Sequence, residues 1–307
     1  MQFKAQDRRL EGTTILRQVQ LTELYLLDVI DEICKEFKLR YFLIYGTLLG
    51  CMRHKGFIPW DDDLDIGMPL EDYKKFLKIA PRVLPRNLML QTPKTVPGCF
   101  EMFAKIRDLS SLALEAHSDL TRPSGIFVDI FPFEKYPCLP LRFRQFLSRG
   151  LSLTWRRSRL HRVANHRFVF GVFLSGLKSC LWSVTHGVLR LLLTVNRWVL
   201  PTLWHVLPEV GGATPASYEL TDTDIFPLSK GIFEGKKYPI PNNANKALSI
   251  EYGNWQELPP PEKRRGLHSN IFYPVQTMGF WWTVPHISLS KAEAESIDRI
   301  AEYLVKI

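Results

Sequence analysis

Residues 54 to 67 read HKGFIPWDDDLDIG, with aspartate at four of the five positions from 61 to 65 (Asp61, Asp62, Asp63 and Asp65). Any fold for this chain must either leave that charge in water as a turn or hold it in an ordered site against a cation. Two carboxylates 4 Å apart repel by about 1 kcal/mol in bulk water, and by several-fold more where water is excluded. An acidic cluster ahead of a strand is most often a solvated turn. Here the flanks argue for order. Arg53, His54 and Lys55, a turn at Gly56 and the stiff Pro59-Trp60 pair build a charged loop unlike a solubilising tract.

DLDIGM alternates acid and apolar residues and reads as a strand. Alternate side chains of a strand share a face, so Asp63 and Asp65 project together while Leu64 and Ile66 enter the core. Asp61 has the same parity and is a reserve, whereas Asp62 faces the other way and orders the loop. Paired carboxylates on a rigid strand suit a hard cation, Mg²⁺ or Mn²⁺ rather than Zn²⁺. Magnesium typically uses one or two carboxylates together with substrate phosphates.

The surrounding pattern predicts an α/β fold with an α+β mixed sheet. Apolar residues recur at three and four positions from 16 to 38, an amphipathic helix. LRYFLIYG reads as a buried strand ending in a tight loop at Gly46-Thr47, and PLEDYKKFLKIAP as a helix over 70 to 80 with a proline at each end. Strand candidates LMLQT, FEMFAKIRD, SLALEA and GIFVDIFPF follow. These define a mixed α/β core over 15 to 140. After a GGATPAS linker, the part from 211 to 307 returns to loops, a short helix at 244 to 252 and a terminal helix, completing that domain. A content of 46% hydrophobic and 12% aromatic residues in 307 is ample for its core.

Further candidates surround the acidic loop. Asp129 sits among apolar residues in GIFVDIFPF and needs a partner from elsewhere in the fold. If its strand lies beside that of Asp63 and Asp65, three carboxylates converge, enough to bind metal and orient an attacking hydroxyl toward phosphorus. Gly46 and Thr47 are placed to offer backbone N–H groups and a hydroxyl to a phosphate. Lys105 and Arg107 alternate with apolar residues and read equally as diphosphate contacts or as solvated edge cations. His54 and His268 are candidates for substrate contact or proton transfer.

The net charge of +9 is unevenly spread. Between residues 141 and 210 there are eleven Arg or Lys and one acid, so the remainder is close to neutral. From 171 to 197 polar and small residues recur every three or four positions in an otherwise apolar run, interrupted by Lys178 and Arg190 too early for a spanning helix. A basic helical insert lying against anionic lipid headgroups fits this pattern, the alternative being a helical subdomain packed on protein. Nucleic acid would leave the apolar face unexplained. Five scattered cysteines without a CxxC pair fit reduced thiols, and no secretory leader is apparent. The expected location is cytoplasmic, peripheral at the inner face of the membrane.

YGTLLGCMRHKGFIPWDDDLDIGM, IFVDIFPFE and FEGKKYPIPNNANKALSIEYGNWQELPPPEKRRGLH together resemble the LicD/fukutin family of phosphotransferases. The resemblance implies a nucleotidyltransferase-like core in which a Gly-Thr turn, a DxD pair and a third acid hold divalent metal and a nucleotide diphosphate. Carried over, these are Gly46-Thr47, Asp63 with Asp65, and Asp129. Tyr45, Arg53, His54, Lys105, Arg107 and His268 join Gly46 and Thr47 as candidate substrate-binding residues. The implied reaction moves a substituted phosphate, typically phosphocholine from CDP-choline, to a hydroxyl of a cell-surface glycan such as lipopolysaccharide or teichoic acid, with release of CMP. Nucleotidyl transfer with release of diphosphate, and a non-catalytic glycan-binding protein at the membrane, are the alternatives. Segment 141 to 210 matches no motif of the family.

Overall fold

A computed structural model of the protein describes residues 1–96, 103–115, 123–137, 202–206, 220–264 and 269–274. It opens on α1, Ile15–Glu36, which begins where the Thr14 side chain accepts a hydrogen bond from the Arg17 backbone N–H. Such a cap satisfies one of the donors that a helix start leaves unpaired. The helix is buried on nearly all sides from Val19 to Cys34, as expected of an element that carries Val19, Leu24, Leu27, Ile30 and Ile33 into the core.

The chain then forms β1 (Phe42–Leu43), α2 (Tyr45–Arg53), β2 (Asp65–Pro69) and α3 (Leu70–Val83). Next come β3 (Leu88–Gln91), β4 (Ala104–Asp108), β5 (Leu112–Glu115) and β6 (Phe127–Pro137). β7 (Thr202–Val206) and the short helix α4 (Asp222–Ile225) precede β8 (Ser229–Phe233) and β9 (Lys236–Ile240). α5 (Ala244–Tyr252) and β10 (Ser269–Tyr273) follow.

Six strands make one mixed sheet in the order β1-β2-β6-β4-β3, with β7 also paired to β6. β2 and β6 run parallel, and the other pairs are antiparallel. The long β6 is the organising strand. It binds β2 along one edge and, along the other, β4 through its first half and β7 through its second. β5 pairs with β10, and β8 with β9, as separate two-stranded units.

The mixed sheet and the two long helices match the sequence expectations; several local features differ. The strand before Gly46 shrinks to Phe42 and Leu43, because Tyr45, at φ 46°, turns the chain directly into α2. Gly46 and Thr47 therefore occupy the first turn of a helix rather than a loop. α3 runs past Pro81 to Val83, since a proline in the last turn forfeits only one helical hydrogen bond. Residues 229 to 240, expected as loop, form a hairpin whose turn residues Glu234 and Gly235 both have positive φ, the twist that two-residue hairpins favour. β7 lies at the end of the basic segment and belongs to the main sheet. The rest of that segment, and the expected terminal helix, lie outside the described residues. Among those described, no helix is long and apolar enough to cross a membrane.

Candidate functional site

The register of the central strands sets the site. Asp65 of β2 is the partner of Asp129 of β6, and Asp129 is in turn the partner of Lys105 of β4. Register partners on adjacent strands share a face, so one row across the sheet reads carboxylate, carboxylate, ammonium. Lys105 Nζ lies 3.3 Å from Asp129 Oδ1. At 1% exposure Lys105 is one of the most deeply buried cations of the fold, and its Nζ sits 3.6 Å from the centroid of the Phe127 ring. A buried charge persists only when paired in this way.

Backbone contacts lock the row. The Asp65 N–H donates to Thr47 Oγ1 at 2.8 Å, and the Asp129 N–H donates to the Leu64 carbonyl at 2.9 Å. Thr47 thus uses one of its two oxygen lone pairs to hold β2. A Cβ on Gly46 would stand 2.8 Å from Asp61 Oδ2, so glycine here lets that carboxylate lie against α2. From α1, Gln20 Nε2 donates to the Asp61 carbonyl at 3.0 Å.

Residues 61 to 64 carry no regular secondary structure, so strand parity is not what brings Asp63 to Asp65. The electrostatics nevertheless join them. Burial first, then the negative charges of Asp129 and Asp62, push Asp63 up to about 7. Burial, followed by Asp63, Asp129 and Asp61, holds Asp65 well above the ordinary carboxylate range, with Lys105 opposing. Asp62, expected to face away from the pair and to order the loop, is buried at 4% exposure and adds to the field on Asp63.

One further carboxylate belongs to this field, and motif spacing gave no sign of it. Glu23 on α1 is 2% exposed and is driven well above its usual range by burial and then by Asp63, Asp62, Asp61 and Asp65. Its signal in the sequence is an acid standing four residues after Val19 and four before Leu27, on the apolar stripe of the first helix. Tyr252, at the end of α5, also feels Asp65, Asp61 and Asp63 after burial and Glu251, and its phenol is raised accordingly.

The other candidates are distributed around this centre. Tyr45, in the left-handed region, packs edge-on against Phe131 at 5.5 Å. Arg107 lies two positions along β4 from Lys105 and donates to Gln91 Oε1 at 2.5 Å and the Gly125 carbonyl at 2.8 Å. Neither Lys105 nor Arg107 is an exposed edge cation, because β4 is an interior strand between β6 and β3. Arg53 donates to the carbonyls of Trp255 and Glu257 and to His54 Nε2, tying the end of α2 to the segment after α5. His54 is edge-on to Trp60 at 6.2 Å, and burial, then Arg53, lower its pKa. His268 lies outside the described residues.

As the side chains stand, no three His, Cys, Asp or Glu among the described residues are gathered to hold a metal ion. The donor set still fits a hard divalent cation. Apart from the Lys105 ammonium the groups at the centre are oxygen donors, the carboxylates outnumber that ammonium, and Glu23 Oε2 is buried with no hydrogen-bond partner. Asp63, Asp65 and Asp129 are the residues that would hold it.

Residues 38–149 match the model of the LicD/FKTN/FKRP nucleotidyltransferase domain. Over 264 residues the chain is 28% identical to the lipopolysaccharide cholinephosphotransferase LicD of Haemophilus influenzae, covering 84% of this chain and 97% of that protein. It is also similar to the ribitol 5-phosphate transferase FKRP of mouse and human, at 42% identity over 57 residues, which span 19% of this chain and 11% of each of those proteins.

Proposed function

Because the chain belongs to the LicD family, we propose that it is a phosphotransferase that moves a substituted phosphate from a nucleotide-activated donor to a glycan hydroxyl. The donor we assign is CDP-choline, with phosphocholine transferred and CMP released, and the acceptor a cell-surface glycan such as lipopolysaccharide. The observation that carries this is the Asp65–Asp129–Lys105 row, with Asp63 joined to it electrostatically, a set of groups that with a divalent cation bound would take the charge of a diphosphate. Similarity to a cholinephosphotransferase over most of both chains supports the choice of head group.

Asp63, Asp65 and Asp129 would hold Mg²⁺ or Mn²⁺, which when bound neutralises the donor's diphosphate and steadies the departing CMP. The protein's own part is orientation. The acceptor oxygen forms a bond to the phosphorus that carries choline as the bond from that phosphorus to the CMP oxygen breaks. The hydroxyl proton passes to a carboxylate, and Asp129 is the candidate, kept in register by Lys105 and by its N–H bond to Leu64. The Thr47 hydroxyl beside the row and the Lys105 ammonium within it are the assigned contacts for the donor's phosphate oxygens. Segment 141 to 210 holds the enzyme at an anionic membrane surface, where a lipid-linked acceptor is found.

Incubation with a panel of CDP-alcohols, Mg²⁺ or Mn²⁺ and a deacylated glycan acceptor, followed by quantification of CMP, tests this assignment. CMP release from CDP-choline is expected, and it should vanish in Asp65→Asn while the circular dichroism spectrum is unchanged. Metal-dependent release of diphosphate from a nucleoside triphosphate, with no CMP from any CDP-alcohol, assigns nucleotidyl transfer instead. An active Asp65→Asn protein rejects the site.

A further inference from the structure

α1 carries three buried acids on its core-facing turns: Glu23, Asp28 and Asp31. Two of them have conventional partners. Asp28 accepts from the Tyr238 hydroxyl at 2.6 Å and from Lys236, and Asp31 accepts from the Tyr41 hydroxyl at 2.8 Å and from Lys35. Glu23 differs, being the most deeply buried of the three, with Oε2 left without any hydrogen-bond partner. A buried carboxylate left unpaired costs several kcal/mol, and folds rarely retain one without a use for it.

What surrounds Glu23 is the acidic loop. Its electrostatic neighbours are Asp63, Asp62, Asp61 and Asp65. One helical turn earlier, Gln20 holds that same loop through the Asp61 carbonyl, which fixes the face of α1 on which both side chains stand. The helix therefore presents a bare oxygen toward the acidic loop. Core packing needs an apolar side chain at this position, and Val19 and Leu27, one turn on either side, supply such residues.

We propose that Glu23 is part of the cation site: its free Oε2 faces the coordination sphere of the divalent ion held by Asp63, Asp65 and Asp129 and raises the affinity for it. This rests on the metal-dependent reading above and extends it to a residue outside the acidic motif. The arrangement also gives α1 a direct stake in the loaded state, because the ion would tie the helix to β2 and β6 through oxygen atoms that otherwise repel.

Mn²⁺ titration of the full chain, with bound ion measured by electron paramagnetic resonance and the melting temperature followed in parallel, tests the proposal. The variants are Glu23→Gln, which keeps shape and removes charge, and Glu23→Met, which fills the space with an apolar chain. In either variant that folds, the Mn²⁺ dissociation constant is expected to rise about tenfold or more. The metal-free melting temperature should stay equal to that of the wild type or exceed it, a result that a purely structural glutamate would not give. Equal Mn²⁺ affinity in wild type and variant overturns the role of Glu23 alone. Absence of Mn²⁺ binding by the wild type overturns the cation reading and this inference with it. Failure of both variants to fold assigns Glu23 to the core and rejects the proposal.

Discussion

Lys105 shows how much a single side chain decides at this centre. Its buried ammonium faces Asp129 at 3.3 Å and also lowers the carboxyl of Asp65 against burial and three acids. Lys105→Met keeps most of the volume and removes the charge, leaving the aspartates uncompensated. Removing one partner of a buried pair typically costs about 3–5 kcal/mol, and urea unfolding should show a loss of that order. Gly46→Ala has a different expected signature. Alanine favours the helix over glycine by about 1 kcal/mol, yet its methyl group would meet Asp61 Oδ2 at 2.8 Å and turn that carboxylate aside. Stability should change by less than about 1 kcal/mol, while CMP release falls at least about tenfold, equivalent to roughly 1.4 kcal/mol in the barrier. That the strand of Asp129 lies beside that of Asp65 could be posed from the sequence, because both lie in runs that read as strands, but nothing in the spacing decided it. Glu23 was not legible, since an acid on an apolar helix face resembles a solvated residue until the partner loop is seen. The sequence also offered Lys105 and Arg107 in two equal readings, and only the position of their strand within the sheet separates them.

Among the elements, α4 illustrates how a short helix is held. Thr221 accepts from the Asp224 N–H while the Asp224 carboxylate accepts from the Thr221 N–H, a reciprocal cap. The same carboxylate accepts from Lys246 Nζ at 2.5 Å and from Asn243 Nδ2 at 3.2 Å, fastening α4 to α5. Burial opposes ionisation, but Lys246 and the Thr221 donors prevail and hold Asp224 down to about 2. A carboxyl lowered on folding stabilises fully above its unfolded value and loses that contribution as pH falls through the folded one. The tie should therefore be intact above about pH 4 and weaken toward pH 2, with Asp224→Ala about 1–2 kcal/mol less stable at neutral pH. Thermal melts of both proteins between pH 7 and 2 would show the curves converging at the acid end. α1, α3 and the four strand candidates after α3 were readable from periodicity and proline placement. The hairpin of β8 and β9 escaped because its turn is Glu-Gly, a weaker signal than Asn-Gly, and KKYPI carries a proline that argues against a strand interior.

For the whole molecule, the charge map divides the labour. Nearly all the excess positive charge lies between residues 141 and 210, and the remainder, which carries the acidic centre, is close to neutral. Attraction to anionic lipid is worth about 1 kcal/mol per basic residue near the surface and is screened within a Debye length. Full-length protein should float with vesicles containing phosphatidylglycerol, remain behind with phosphatidylcholine vesicles, and be released as salt rises from 0.05 to 0.5 M.

Pro137 at the end of β6 and Thr202 at the start of β7 face each other in register. To the sheet, the entire stretch from 138 to 201 is the connection of one antiparallel hairpin, leaving and rejoining at a single point. Closing such a connection depends only logarithmically on its length, about 0.6 kcal/mol for each doubling. The sheet is thus little affected by what is spliced there. On the proposed function, a tight turn grafted across that point is expected to leave transfer to soluble acceptors intact and to abolish transfer to membrane-bound ones.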